Sequence, residues 1–164
     1  MFVIYEANEE KQMPRPKRHR LIWGPPFARR FAPVGAPMGA GGTVVLSLEE
    51  FESIRLADYE DLDHEGAAEK MGVSRPVFSR LLKGARQKVA KALVEGTEIL
   101  IEGGVFQFAR DFYRCRSCFT VIPRMPGEPP PAVCPNCGGT EFEYLNQNFA
   151  PGYGHRHGRG GRRF

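Results

Sequence analysis

The sequence predicts a mainly α protein in which a three-helix, helix-turn-helix domain precedes a small β zinc ribbon, with flexible basic termini. Two observations predict this fold class. Apolar residues recur at helical spacing between residues 46 and 106, whereas many of the 19 glycines and 14 prolines lie in the flanking segments. Two Cys-x-x-Cys pairs follow, in a segment too small to fold on a hydrophobic core alone.

These patterns divide the chain into five expected segments. The helical domain and the ribbon are flanked by segments without helical or strand periodicity. The segments are an extension (1–12), a basic Pro/Gly-rich arm (13–45), the helix-turn-helix domain (46–106), the ribbon (110–146) and a disordered Gly/Arg/His tail (147–164).

Charge is arranged in blocks, although the net charge is only +4. Residues 13–30 carry six basic residues and no acid, residues 49–69 carry nine acids and one base, and residues 70–94 carry seven bases and no acid. Because like charges repel, the basic blocks favour an anionic partner such as nucleic acid. No secretory signal and no run of about 18 apolar residues is present, which predicts a cytoplasmic protein with reduced cysteines.

Local signals place the first two helices. Ser47 can cap a helix whose first turn is acidic and which continues to about Asp61. Asp63 can cap a second, short helix that ends near Met71.

The third helix is expected between Ser74 and Gly96. Pro76 suits the first turn, where its missing N–H is harmless, and a glycine commonly follows the last turn. Beyond Gly96 the segment TEILIEGGVFQF favours two short strands. One apolar stripe runs along the helix: Phe78, Leu81, Leu82, Ala85, Val89, Ala92 and Leu93.

Residues 64–83 predict a helix-turn-helix. Ala68 is small enough for the helix contact, and Gly72 suits the turn. A recognition helix reads bases from its N-terminal half, where arginine can pair with guanine, and basic arms contact backbone or minor groove. The candidate DNA contacts are Arg75, Pro76, Ser79, Arg80, Lys83 and Arg86 on the third helix and Arg15, Lys17, Arg18 and Arg20 in the arm.

Several motifs together resemble one protein family. They are MPRPKRHR, the F-x-P-x-G-x-P spacing of residues 31–37, LSLEEFESIRLADYEDL, the helix-turn-helix and VAKALVEGTEILIEGG. Over residues 13–104 the chain resembles domain of unknown function 134, a family of prokaryotic proteins that are predicted to bind DNA. The resemblance implies a fold like the fourth region of sigma factors and a role in transcription regulation.

The four cysteines predict one zinc ion. Fifteen residues separate the two Cys-x-x-Cys pairs, which is a zinc-ribbon spacing. Four thiolates close the tetrahedron, which indicates a structural site; an iron–sulfur centre or a redox thiol pair is the alternative. The ligands would be Cys115, Cys118, Cys134 and Cys137.

The function predicted is therefore DNA binding, without enzymatic activity. No phosphate loop, nucleophile elbow or histidine–carboxylate constellation is apparent in the sequence. A homodimer, and RNA polymerase or another protein at the ribbon, are further possible partners. Two alternatives stay open: a zinc-ribbon module that binds RNA, the ribosome or a protein, and a metal- or redox-responsive repressor.

Overall fold

A computed structural model describes residues 19–35 and 41–149. Its helices are α1 (Leu48–Ile54), a π-helix (Arg55–Tyr59), α2 (His64–Lys70), α3 (Arg75–Glu95) and a C-terminal 3-10 helix (Leu145–Phe149). Its strands are β1 (Arg20–Ile22), β2 (Arg30–Phe31), β3 (Thr43–Leu46), β4 (Glu98–Ile101), β5 (Phe106–Phe108), β6 (Asp111–Cys115), β7 (Val121–Arg124) and β8 (Phe142–Tyr144). No helix in these ranges is long and apolar enough to cross a membrane.

The prediction of a mainly α protein is wrong. In the described ranges, eight strands form three sheets beside three α-helices. Two of these sheets involve residues 20–46, which the Pro/Gly content of the arm had indicated would be irregular. The reason is long-range pairing: β1 lies parallel to β5, and β3 lies parallel to β4.

Strand β4 ties the helical segment into the sheet. It pairs with β3 on one side and with β2, antiparallel, on the other. Since β3 precedes α1 and β4 follows α3, the parallel pair joins the two ends of the helical segment. The helical segment is therefore the crossover connection from β3 to β4, which two parallel neighbouring strands require.

The helices form where the capping residues predicted them. Ser47 and Glu50 make a reciprocal capping box at the start of α1, and Asp63 Oδ1 accepts a hydrogen bond from Gly66 N (2.8 Å) at the start of α2. Helix α3 ends at Gly96, whose φ of 63° is left-handed, as expected for this position. The first helix does not continue as α-helix to Asp61, because a π-helix replaces it from Arg55.

Two apolar clusters make up the core. One packs Leu56 of the π-helix and the buried faces of α2 and α3 together, around the fully buried Phe78 and Met71. The other lies between helices and sheets. Its buried members are Ile22, Leu46, Leu48, Ala85 and Ile101. The predicted stripe of α3 is buried only in part, since Leu93 near its C-terminal end is 75% exposed.

The C-terminal unit is a three-stranded antiparallel sheet with β6 in its centre, between β7 and β8. Phe112 of β6 is buried and its ring lies edge-on to Trp23, with ring centroids 6.3 Å apart. Asn146 holds the start of β6 in place: its side chain accepts a hydrogen bond from Phe112 N (3.0 Å) and donates one to Arg110 O (2.8 Å). The sheet thus contacts the segment that follows β1.

Candidate nucleic-acid interface and metal centre

Helices α2 and α3 are joined by a tight turn. Gly72 has a φ of 63°, a conformation that side chains disfavour, and Val73 N donates to Ala68 O (3.0 Å). Ala67, Ala68, Met71 and Phe78 are buried at the contact between the helices. The small residues and the turn glycine therefore have the structural roles that the sequence predicted for them.

The opposite face of α3 is open to solvent. Arg75, Pro76, Arg80 and Lys83 are exposed. Ser79 is half-buried, and its hydroxyl lies 2.9 Å from Nδ1 of His64 at the start of α2. The structure thus brings five of the six predicted contacts on this helix to one surface.

Arg75, Arg80 and Lys83 differ from most other cations because they form no ion pair with an acidic residue of the described ranges. Ten of the fifteen Lys and Arg side chains in the described ranges form ion pairs. Arg110 lacks one but lies over the Trp23 ring, 5.6 Å from its centroid. The other side chains outside these ion pairs are Arg75, Arg80, Lys83 and Arg116.

Two of the predicted DNA contacts form ion pairs in the structure, and their contact with DNA stays a prediction. The remaining predicted contact on α3, Arg86, lies 2.6 Å from Asp58 of the π-helix. Arg20 of the arm lies 2.5 Å from Glu49. Arg15, Lys17 and Arg18 lie outside the described residues, so the rest of the predicted arm contact stays a prediction.

The acidic block of α1 holds the arm, a role that the sequence analysis missed. Glu49 and Glu52 are each only 3% exposed. Glu52 accepts from Trp23 N (3.0 Å), and Glu49 accepts from Val105 N (3.0 Å) as well as from Arg20. Burial disfavours the charged form of Glu49, but hydrogen bonds from Val105 N, Ser47, its own N–H and Arg20 together outweigh it and lower the pKa of this carboxyl. Because the partners are far apart in sequence, no local pattern indicated the contact.

The four cysteines meet at one point of the C-terminal unit. Cys115 ends β6 and Cys118 follows in a turn, while Cys134 and Cys137 lie in a second turn before β8. All four Sγ atoms lie within 4.8 Å of one another, and all four thiols are free. The predicted ligands are therefore brought together, and they could hold a metal ion.

The sulfur geometry fits a tetrahedral ion. Cys115 Sγ lies 3.6 Å from Cys137 Sγ, and Cys118 Sγ lies 3.6 Å from Cys134 Sγ. A Zn–S bond of about 2.3 Å places two sulfurs of a tetrahedron about 3.8 Å apart, whereas a disulfide requires about 2.05 Å. Gly139 leaves room for this arrangement, since a Cβ there would lie 3.3 Å from Cys137 Sγ.

The protonation of these thiols also favours a cation. The hydrogen bond with the Thr120 hydroxyl is the largest of several effects that lower the pKa of Cys118 to about 5. Although Gly139 N stabilises the thiolate of Cys137, hydrogen bonds with Cys118 and Cys115 raise its pKa to about 12. Metal binding would need all four groups as thiolates, and a cation among the sulfurs would offset the repulsion between their negative charges.

Comparison with known proteins gives the family. Residues 11–109, from the arm to the strand β5, match the family described as protein of unknown function DUF134. A UPF0251 protein of Chloroherpeton thalassium is 42% identical over 92% of this chain and 97% of its own. Those of Methanothermobacter thermautotrophicus (40% identical over 91% and 75%) and Syntrophobacter fumaroxidans (48% over 77% and 83%) are also similar. No solved structure matches the chain at a significant level. The chain belongs to the DUF134 (UPF0251) family.

Proposed function

We propose that this chain is a DNA-binding regulator of transcription, which reads duplex DNA with the exposed face of α3 and carries one structural Zn²⁺. The observation that carries the proposal is the set of cations on that face that pair with no acidic residue in the described part of the chain. Arg75, Arg80 and Lys83 lie within three turns of helix, while most basic residues of the described part are paired.

The geometry of α3 suits the major groove. The helix has 21 residues and begins after the Gly72 turn; Arg75 and Arg80 are exposed in its N-terminal half, with the half-buried Ser79 between them. A major groove about 12 Å wide admits one α-helix, and an arginine can donate two hydrogen bonds to guanine. We assign Arg75 and Arg80 to base edges, Ser79 to a base or a phosphate, and Lys83 to the backbone.

Ion pairing decides which basic residues are available. A cation held by a carboxylate must lose that partner before it can neutralise a phosphate, so its net contribution to binding is smaller. Arg20 and Arg86 are in this position. We therefore give Arg20 and Arg86 structural roles.

We propose Zn²⁺ as the ion at the four cysteines, where it would cross-link the two turns of the C-terminal unit. Cys115, Cys118, Cys134 and Cys137 supply four ligands at suitable distances. With four protein ligands, zinc keeps no open position for a substrate. This supports a structural metal site rather than a catalytic one.

The test begins with selection of duplexes from a random library by the zinc-loaded chain. The affinity of the selected duplex is then measured by fluorescence anisotropy for Arg80→Ala and for a control, Lys91→Ala. Both variants lose one positive charge from α3, but Lys91 lies near the C-terminal end and pairs with Glu95. Arg80→Ala is expected to weaken specific binding by about 1–3 kcal/mol and to relax preference at one base pair.

Lys91→Ala is expected to bind the selected duplex nearly as the wild type does. Equal losses in both variants on every sequence would show that only overall charge matters, and would contradict base reading by Arg80. Failure of the library to yield any motif, together with binding that disappears as salt rises, would contradict the sequence-specific function.

A further inference from the structure

The two cysteine turns make the same backbone hydrogen bond but have different residues after the second cysteine. In the first, Phe119 N donates to Cys115 O (3.0 Å); in the second, Gly138 N donates to Cys134 O (2.9 Å). Phe119 and Gly138 each follow the second cysteine of their turn, and both have positive φ, 61° and 75°. The fold therefore requires a left-handed residue at each position.

Phenylalanine is a costly choice for that conformation. Glycine adopts positive φ without a steric penalty, whereas a bulky side chain there is an outlier. The second turn uses glycine, so the first turn could do the same as far as the backbone is concerned. A strained residue that the fold does not need indicates a function for its side chain.

Packing does not explain the choice either. The Phe119 side chain is 69% exposed, although it adjoins the cluster of four thiols, of which Cys115 and Cys134 are buried. Arg116, in the same turn, is also exposed and belongs to none of the ion pairs of the described residues. Nearby Glu143 is already held by Arg114 at 2.6 Å. The turn therefore presents an exposed aromatic ring and, three residues earlier, an exposed cation that forms no ion pair within the described residues.

We propose that Phe119 and Arg116 form a second nucleic-acid contact, in which an unpaired base stacks on the Phe119 ring and Arg116 neutralises an adjacent phosphate. Aromatic rings with neighbouring cations are the usual means of binding single strands without sequence preference. The cation distinguishes this partner from an apolar protein pocket. The contact is separate from α3 and does not depend on duplex reading there.

The test uses the full zinc-loaded chain and a short fluorescent oligothymidylate, whose affinity is measured by anisotropy. Phe119→Gly and Phe119→Leu are both expected to weaken binding, by about 5- to 150-fold for a lost stacked base, while Phe119→Trp retains it. Val133→Ala is the matched control, because Val133 is also exposed, at 57%, and also adjoins a cysteine of the cluster. It is expected to bind as the wild type does.

A structural readout separates this role from a folding role. Phe119→Gly relieves the positive-φ strain, so its zinc content and thermal midpoint are expected to equal or exceed those of the wild type. Equal oligothymidylate affinity of wild type and Phe119→Gly, or retention of affinity by Phe119→Leu, would overturn the proposal. A lower thermal midpoint in Phe119→Gly would also overturn it, because the side chain would then have a folding role. The proposal would fail as well if the wild type bound inorganic polyphosphate as tightly as oligothymidylate, because charge alone would then explain binding.

Discussion

The ion pair between Arg20 and Glu49 offers a direct test of whether the arm stabilises the fold. The Glu49 side chain is 4% exposed and that of Arg20 is 31% exposed, so the pair is largely shielded from solvent. Glu49 also accepts from Val105 N, which precedes β5, the strand that pairs with β1. One carboxylate thus connects α1 to both strands of that sheet.

The expected coupling follows from this burial. Removing one partner of a buried pair costs about 3–5 kcal/mol, whereas an exposed pair contributes about 0–1 kcal/mol. Because Arg20 can still reach water, an intermediate coupling of about 1–3 kcal/mol is expected. Arg20→Ala leaves the Glu49 carboxylate buried without its cation, while Glu49→Gln in the same background removes that charge and should restore part of the loss.

The assay is a double-mutant cycle measured by urea denaturation of wild type, Arg20→Ala, Glu49→Gln and the double variant. Additive effects, with a coupling below about 0.5 kcal/mol, would refute the structural role of the pair. DNA affinity of the same variants gives the second readout, since a structural Arg20 predicts little loss under conditions where Arg20→Ala remains folded. A large loss in the fully folded variant would return Arg20 to the DNA interface.

Three further predictions concern pH, packing and metal. Burial raises the pKa of Glu49, but hydrogen bonds from Val105 N, Ser47, its own N–H and Arg20 bring it below 4.5 overall. The stabilisation by this carboxylate is therefore complete above that value and disappears as pH falls through the folded pKa. Thermal midpoints between pH 7 and 3 should depend less on pH in Glu49→Gln. Gly24→Ala places a Cβ 2.2 Å from the Phe112 ring and is expected to destabilise the chain by about 1–3 kcal/mol in urea denaturation; an unchanged midpoint would show that the ring moves aside without cost. Cys134→Ser is expected to abolish stoichiometric zinc binding, as measured by elemental analysis. Hydrogen exchange should increase in residues 111–144 while α1–α3 stay protected. Loss of protection throughout would mean that the chain unfolds as one cooperative unit.

The helices could be predicted because their signals are local. Capping residues, a turn glycine and apolar residues at helical spacing all act within a few residues of one another. The start and end of α3 at Arg75 and Glu95 agree with the signals at Ser74 and Gly96. The cysteine cluster was also predictable, because each Cys-x-x-Cys turn is local and a tetrahedral ion needs two of them.

The strands of residues 20–46 could not be predicted in the same way. Strands β1 and β3 are short, and each pairs with a strand more than fifty residues away, Arg20 with Phe106 and Thr43 with Glu98. Short strands carry too little periodicity to stand out between glycines and prolines. The π-helix has the same limitation, because its register depends on packing rather than on a local residue signal.

By itself the sequence determined where the α-helices begin, most of the residues that face their core and which four thiols meet, since these depend on neighbours along the chain. Only the tertiary structure decided which charges are neutralised. Glu49 and Glu98 lie far in sequence from Arg20 and Arg30, and their pairing appears only when β1 and β2 are placed on the sheets. Charges interact through space, and not along the sequence. The exposed cations of α3 therefore stand out only once the fold shows which other Lys and Arg side chains of the described ranges form ion pairs.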